Sequence, residues 1–337
     1  MSRARGYQRL ILLLVSMVLA GSLLAPPARG ADTVEQGYMP FISFAPLFVG
    51  IEKGFYTELG IELKMTRFAD GSKMIAPLGR GDLDVASGSP TAGLYNAIAS
   101  GLKFRIVADK GQVRKGEPGF VPLVVRKDLF DSGRVKKLAD IKGLVIGQIT
   151  KGAISEYSLM RMAKVAGLSF EELNQNQKYL SPPKQYQALK TKAIDLASTV
   201  EPWGTSSVLD GDGVILATSL EWLDRDVFQI ATMMFSGKFI AERRPVAQRW
   251  VNAYVKSIQY MNKQGIASES IVPIINKWTK AGDQMIKKSI PPRFADDGSV
   301  DKPSLELSQD FYFERGLMKQ KISMDEAVDL SFVRNVK

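Results

Sequence analysis

Short hydroxyl and glycine residues follow predicted strands at several points, and the first lies in GSPTAGLYNAIASG. Here Gly88 follows a strand predicted over residues 83–87, and Ser89 and Pro90 are typical of a helix N-cap and first helical position. The amides of the first turn, with the Ser89 and Thr91 hydroxyls, could bind an oxyanion, because a helix N-terminus carries about half a positive charge. Simple helix capping is the alternative interpretation.

A second segment, ITKGAISEY, has the same order of strand, glycine turn and helix. Gly152 would let the backbone approach a ligand closely, and the amides near Ala153 and Ser155 would be free to donate hydrogen bonds. A plain loop with Ser155 as a helix cap would explain the same residues equally well.

The segment TVEPWG differs from these two because it carries a charge. Glu201 precedes Pro202 at a predicted helix start, where it could accept hydrogen bonds from a ligand amine or ring N–H. Trp203 could stack on an apolar ligand body. Alternatively, Glu201 serves the helix dipole and Trp203 belongs to the core.

Large apolar side chains crowd the segment YMPFISFAP, which precedes another predicted helix. Met39, Phe41 and Phe44 are too bulky for a simple exposed loop, so we expect an apolar wall for the organic part of a ligand. Part of the segment is predicted to be a buried first strand, with Phe41 and Ser43 on one face.

The elements that must position these loops are short apolar strands alternating with helices, which predicts an α/β fold with mostly parallel sheets covered on both faces. Such sheets bind ligands outside the carboxyl ends of their strands, where the four segments lie. Two strands, predicted over residues 121–126 and 228–235, bracket a second group of elements. The remainder of the chain from residue 245 is predicted to be helical.

Composition narrows the possible functions. The chain has no histidine and no cysteine, which excludes Ser-His-Asp and Cys-His catalysis and histidine-dependent metal sites. Acidic pairs near glycine lack the pattern of a calcium loop, so neither a metal nor a cofactor is expected. The net charge of +10 is scattered without basic runs interleaved with aromatics, which argues against nucleic acid.

The first thirty residues are typical of a cleaved signal peptide, and a membrane anchor is the weaker alternative. An apolar run over residues 10–24 ends before the small residue Gly30. Three basic residues precede that run: Arg3, Arg5 and Arg9. Because no cysteine is available for acylation, we expect a protein free in the periplasm.

Residues 44–64, FAPLFVGIEKGFYTELGIELK, resemble the N-terminal signature of periplasmic solute-binding proteins for nitrate, alkanesulfonates, taurine and thiamine precursors. The C-terminal GLMKQKISMDEAVDLSFVRNV resembles the closing helix and tail of that family. The resemblance implies a two-lobed periplasmic binding protein type II fold, with two mixed sheets flanked by helices and joined by two hinge strands. Lobe I would comprise residues 31–125 and 226–337, and lobe II residues 126–225. It also implies pocket loops at Ser89 and Glu201.

The function that this resemblance implies is binding without catalysis. A small organic solute, anionic or zwitterionic and sulfonate-like or aromatic, would be captured between the lobes by a monomer. It would then be delivered to an ABC permease in the inner membrane and its ATPase. A ligand-binding partner of a membrane sensor and a binder of a thiamine pyrimidine precursor remain open. Enzymes of the related pyrimidine-precursor group share the fold but depend on histidine and cysteine.

Overall fold

Two mixed five-stranded sheets organise residues 30–337, the part of the chain that the computed structural model describes. The predicted signal peptide lies outside these residues, apart from Gly30. The first sheet contains β1 (Asp32–Tyr38), β2 (Ile61–Arg67), β3 (Val85–Gly88), β4 (Phe104–Arg114) and β10 (Val227–Ser236). Its strand order is β2-β1-β3-β10-β4, with β10 antiparallel to both neighbours.

The second sheet lies between these elements in the sequence. It contains β5 (Leu123–Arg126), β6 (Ile146–Gln148), β7 (Gln177–Tyr179), β8 (Leu196–Ser198) and β9 (Gly213–Ala217). The order is β7-β6-β8-β5-β9, in which β6 is parallel to β7 and β8, and β5 is antiparallel to both of its neighbours. The chain therefore crosses between the sheets twice, over residues 115–122 and 218–226, as the predicted two-lobed α/β fold requires.

Helices cover both sheets. In chain order they are α1 (Ala45–Glu52), α2 (Phe55–Glu58), α3 (Ser72–Arg80), α4 (Ala92–Ala99), α5 (Lys127–Asp131), α6 (Ile154–Val165), α7 (Phe170–Asn174), α8 (Pro182–Lys190), α9 (Trp203–Leu209), α10 (Gly237–Gln264), α11 (Val272–Thr279), α12 (Asp283–Lys288), α13 (Lys302–Glu314), α14 (Met324–Ala327) and α15 (Ser331–Arg334). Short 3-10 turns occupy Ile42–Phe44, Leu138–Ile141 and Ser219–Glu221.

The long helix α10 anchors the first lobe. Trp250, Tyr254 and Ile258 recur every four residues and are at most 1% exposed, which buries one stripe of the helix against the sheet. The Trp250 ring meets Phe235 of β10 edge-on at 5.3 Å. Residues 33–337 form one compact unit, and none of the helices in the described residues has the length and apolarity to span a membrane.

Two local predictions are wrong. Residues Ile42–Phe44 form a 3-10 turn and not part of the first strand, which ends at Tyr38. Pro40 has no amide to continue a strand ladder, so the chain leaves the sheet there. The helix predicted to start at Pro90 begins at Ala92, because the Thr91 hydroxyl accepts the Leu94 amide at 3.1 Å and acts as the N-cap instead of Ser89.

Candidate ligand-binding site

The carboxyl ends of the first-lobe strands bring two of the predicted segments together. Met39 follows β1, Gly88 ends β3, and Gly71 lies between β2 and α3. A Cβ atom built on Gly71 would lie 3.5 Å from the Gly88 Cα atom and 3.8 Å from the Met39 methyl group. The three loops therefore meet at the carboxyl ends of these strands, where Gly71 permits their close approach.

A buried lysine that the sequence analysis did not single out lies beside the predicted apolar wall. Lys110 is 2% exposed, and its Nζ donates to the Ser43 hydroxyl at 2.8 Å. The same ammonium lies 4.0 Å from the centre of the Phe44 ring, within the range of a cation–π interaction. Ser43 and Phe44 are thus brought together around a positive charge, and Phe41 is only partly buried nearby in the sequence.

Burial sets the electrostatics of this lysine. Desolvation lowers the pKa of Lys110 to about 7, and the adjacent Asp109 opposes that shift only in part. The Asp109 carboxylate is engaged elsewhere, because it accepts hydrogen bonds from the Gly111 and Ala295 amides and from Gln229 Nε2. In the sequence, Asp109 and Lys110 directly follow an apolar strand pattern and open a Gly-rich polar stretch, which indicates an exposed loop and not a buried charge.

The second lobe presents the start of α6 at the edge where β6 and β8 end. Ala153 is the N-cap of α6, and the buried Ser155 hydroxyl has no hydrogen-bond partner within residues 30–337. Ser198 Oγ donates to the Ser155 carbonyl at 3.1 Å, which ties the end of β8 to this turn. Both amide atoms of the buried Gln148, the last residue of β6, are likewise unpartnered among the described residues. The turn therefore offers polar atoms free to bind a ligand.

The two helix starts predicted to bind a ligand contact each other where the two lobes meet. The Ala92 amide at the start of α4 donates to the Gly152 carbonyl at 3.0 Å. A Cβ atom on Gly152 would lie only 2.8 Å from that of Ala92, and Gly152 has a φ of +69°. Because the Ala92 and Leu94 amides already have partners, the first turn of α4 has fewer free donors than the sequence suggested.

Glu201 is fully buried just before α9, and its carboxylate also interacts with the backbone of Ile290, in the part of the chain that follows β10. Its Oε2 accepts the Thr205 amide at 3.0 Å and its Oε1 accepts the Thr205 hydroxyl at 3.1 Å, which puts the carboxylate at the N-terminal end of α9, in agreement with the helix-dipole interpretation. Burial raises the pKa of Glu201 to about 7, and the two Thr205 hydrogen bonds oppose that rise. Trp203 packs against Tyr186 of the same lobe, with ring centres 5.9 Å apart, and its Nε1 is buried without a partner in the described part of the chain.

Other features of the described residues do not compete with this site. A cavity of about 720 Å³ lies at the other end of the first-sheet strands, near the start of β4 and the start of α10. None of the predicted site residues lines it. Among residues 30–337, no group of three acidic side chains is arranged to hold a metal ion.

Two mixed sheets joined by two crossings, with polar loops of the two lobes in contact, define the periplasmic binding protein fold of type II. A model of the NMT1-like family matches residues 28–275, and the chain belongs to that family. This confirms the resemblance to the nitrate, sulfonate and taurine group of binding proteins, and with it the prediction of a binding protein instead of an enzyme.

Two curated relatives are similar to this chain. One is the bicarbonate transport ATP-binding protein CmpC of Synechocystis, 27% identical over 56% of this chain and 29% of its own length. The chain thus spans about 29% of that relative. The other is a putative ABC transporter periplasmic binding protein of Brachyspira hyodysenteriae, 24% identical over 75% of this chain and 71% of the relative.

The fold is shared with solved binding proteins. The alkanesulfonate-binding protein SsuA from Xanthomonas axonopodis pv. citri, bound to MOPS, superposes with a TM-score of 0.70 at 17% identity. The match covers 91% of this chain and 100% of that protein. At this identity the likeness shows the two-lobed fold alone, so the ligand must be argued from the residues of this chain.

Proposed function

We propose that this protein is a periplasmic solute-binding protein, a monomer that captures a small organic solute between its lobes and delivers it to an ABC permease and its ATPase. The observation that supports this most directly is the Ser155 hydroxyl, buried and unpartnered within residues 30–337, at the helix start that contacts the opposite lobe. A buried hydroxyl without a partner is unfavourable unless something else binds it. A solute held between the lobes would supply that partner.

The names of the similar proteins described above support the same proposal. One is called an ABC transporter periplasmic binding protein, and another belongs to a bicarbonate transport system. SsuA is an alkanesulfonate-binding protein that holds MOPS in its solved structure. An anionic or zwitterionic solute agrees with these names, and the alkanesulfonate-binding protein supports an organic one.

The test is a binding screen followed by scattering. Thermal shift would rank organic sulfonates, carboxylates, pyrimidine precursors and inorganic anions, and titration calorimetry would give the affinity of each probe that raises the melting temperature. Small-angle scattering with a saturating probe should show a smaller radius of gyration, because hinge closure brings the lobes together. The proposal fails if none of these probes binds.

A matched pair of serine variants locates the site. Ser155→Ala removes a hydroxyl that has no partner among the described residues, and should weaken the best probe by about 2- to 10-fold, the usual range for one hydrogen bond. Ser100→Ala removes an exposed hydroxyl that bonds only the Ala97 carbonyl and should leave the affinity unchanged. Equal affinities for both variants would move the site away from α6.

A further inference from the structure

The strand β4 contains an irregularity at Lys110. Opposite it on β10, Ala231 pairs with Gly111 and Thr232 pairs with Asp109, so that Lys110 has no cross-strand partner. This is a β-bulge, which inserts one extra residue and redirects its side chain. Gly111, next in the chain, has a φ of +154°, a backbone conformation that favours glycine. The bulge therefore depends on a glycine at position 111.

The bulge lies at the level of the candidate site. Gly88, the last residue of β3, pairs with Thr232, which in turn pairs with Asp109. Lys110 is thus one residue beyond the point where β3 ends, on the strand that continues toward the second lobe. Its contacts with Ser43 and Phe44 put the ammonium beside the segment predicted to form the apolar wall.

The ammonium is incompletely satisfied. A lysine Nζ carries three N–H donors, and within residues 30–337 it has one hydrogen bond, to the Ser43 hydroxyl, and no ion pair. A charge buried to this extent is strongly unfavourable unless it is paired and hydrogen-bonded. The carboxylate nearest in sequence, Asp109, already accepts three hydrogen bonds from other groups. Within residues 30–337 the structure thus holds a buried ammonium with no anion hydrogen-bonded to it.

We propose that Lys110 Nζ is the charge-recognition group of the cleft and that the solute is an organic monoanion whose carboxylate or sulfonate binds it. The inference rests on the proposed solute-binding function and adds the residue that selects anions over neutral and cationic solutes. Ser43 positions the ammonium, and Phe44 covers one side of it. Apolar contact with Met39 and the partly buried Phe41 would then favour a solute with an apolar body.

Matched probe pairs test this inference on the full chain. Calorimetry at pH 6, below the lowered pKa of Lys110, would compare benzoate with benzamide, benzenesulfonate with benzenesulfonamide, and ethanesulfonate with ethylammonium. We expect at least one anion to bind at least tenfold more tightly than its neutral counterpart. In Lys110→Met that anion should lose at least tenfold in affinity, while Lys263→Met, which removes an exposed lysine at the end of α10, should change nothing.

The outcomes separate this inference from the function on which it rests. If an anion binds Lys110→Met as tightly as the natural chain, or if only neutral or cationic probes bind, Lys110 is not the recognition group although the protein still binds solutes. If no probe binds, the proposed function itself is overturned. If circular dichroism shows that Lys110→Met does not fold, Lys110→Gln replaces it in the affinity measurement. The difference in affinity between paired probes in the natural chain then tests the same inference.

Discussion

Arg315 Nη1 lies 2.8 Å from Glu156 Oε2, and this ion pair joins the two lobes. Glu156, in the first turn of α6, is fully buried, and the Arg315 side chain is only 16% exposed. Arg315 is the C-cap of α13, a helix that packs on both β10 and α6. The same carboxylate also accepts the Gly152 amide at 2.8 Å and the Tyr179 hydroxyl at 2.6 Å. One acidic side chain thus holds the ligand-site turn and the opposite lobe at once.

We expect removal of Arg315 to destabilise the protein strongly. Arg315→Met leaves the Glu156 carboxylate buried with two donors instead of three, and breaking a buried pair from one side commonly costs about 3–5 kcal/mol. Because Arg315 keeps some solvent contact, about 2–4 kcal/mol is the expected loss in free energy of unfolding. Urea unfolding would measure it.

A double-mutant cycle with Glu156→Gln supplies the control. The double variant should be more stable than the sum of the two single losses implies, since neither partner is then left charged and alone. The exposed pair Lys127–Asp131 is a useful comparison, because Lys127→Met should change the free energy of unfolding by about 0.5 kcal/mol or less. A coupling energy near zero between Arg315 and Glu156 would mean that the pair does not hold the lobes together.

The sequence predicted the α/β fold because strands, helices and glycine stops alternate in one consistent order, and the resemblance to the binding-protein family added the division into two lobes. The four segments do precede helix starts, because turn chemistry is local, and their part in ligand binding stays a prediction. What the sequence could not supply were contacts between residues distant in the chain. The partnership of Arg315 with Glu156 joins positions 159 residues apart. Glu156 lies in the segment ITKGAISEY, but nothing in that segment indicates its distant partner.

Lys110 illustrates a different limit. A lysine in a Gly-rich stretch is normally exposed, so its pattern indicates a loop. Only the pairing of β4 with β10 reveals that the strand continues through Arg114 and that Lys110 is the extra residue of a bulge. A bulge is a property of strand register, which depends on a second segment over a hundred residues away.

Replacing Gly152 tests how closely the lobes approach. Gly152→Ala introduces a Cβ atom 2.8 Å from that of Ala92 and also strains a residue at a φ of +69°. Gly167→Ala is the matched control, because Gly167 has a φ of +72° but open space around it. Both should lose about 1–2 kcal/mol of stability from backbone strain. Gly152→Ala alone should also give a larger radius of gyration by small-angle scattering and weaker solute binding, and equal behaviour of the two variants would argue against the contact between the lobes.

The buried carboxyl of Glu201 should make stability depend on pH. Its pKa is raised from 4.5 to about 7, so between these values the folded protein holds a proton that the unfolded chain releases. Stability from this group is present below pH 4.5 and is lost as the pH rises through 7, by up to about 3 kcal/mol. In Glu201→Gln the free energies of unfolding at pH 5 and pH 8 should differ less than in the natural chain. An unchanged difference would show that Glu201 is ionised throughout.

Lys110 should reduce the stability of the solute-free protein, as expected of a residue retained for binding. Its pKa is lowered from 10.5 to about 7, so the unfolded chain binds more protons than the folded one between these values, and stability rises with pH across that window. Lys110→Met removes the buried cation, and we expect the free energy of unfolding at pH 7 to increase by about 1–4 kcal/mol and to lose this rise between pH 7 and 9.5. Urea unfolding at both pH values measures the effect, with Lys263→Met as the exposed control. A large loss of stability in Lys110→Met would instead make Lys110 a structural residue, whose bond to Ser43 stabilises β4 and does not serve solute binding.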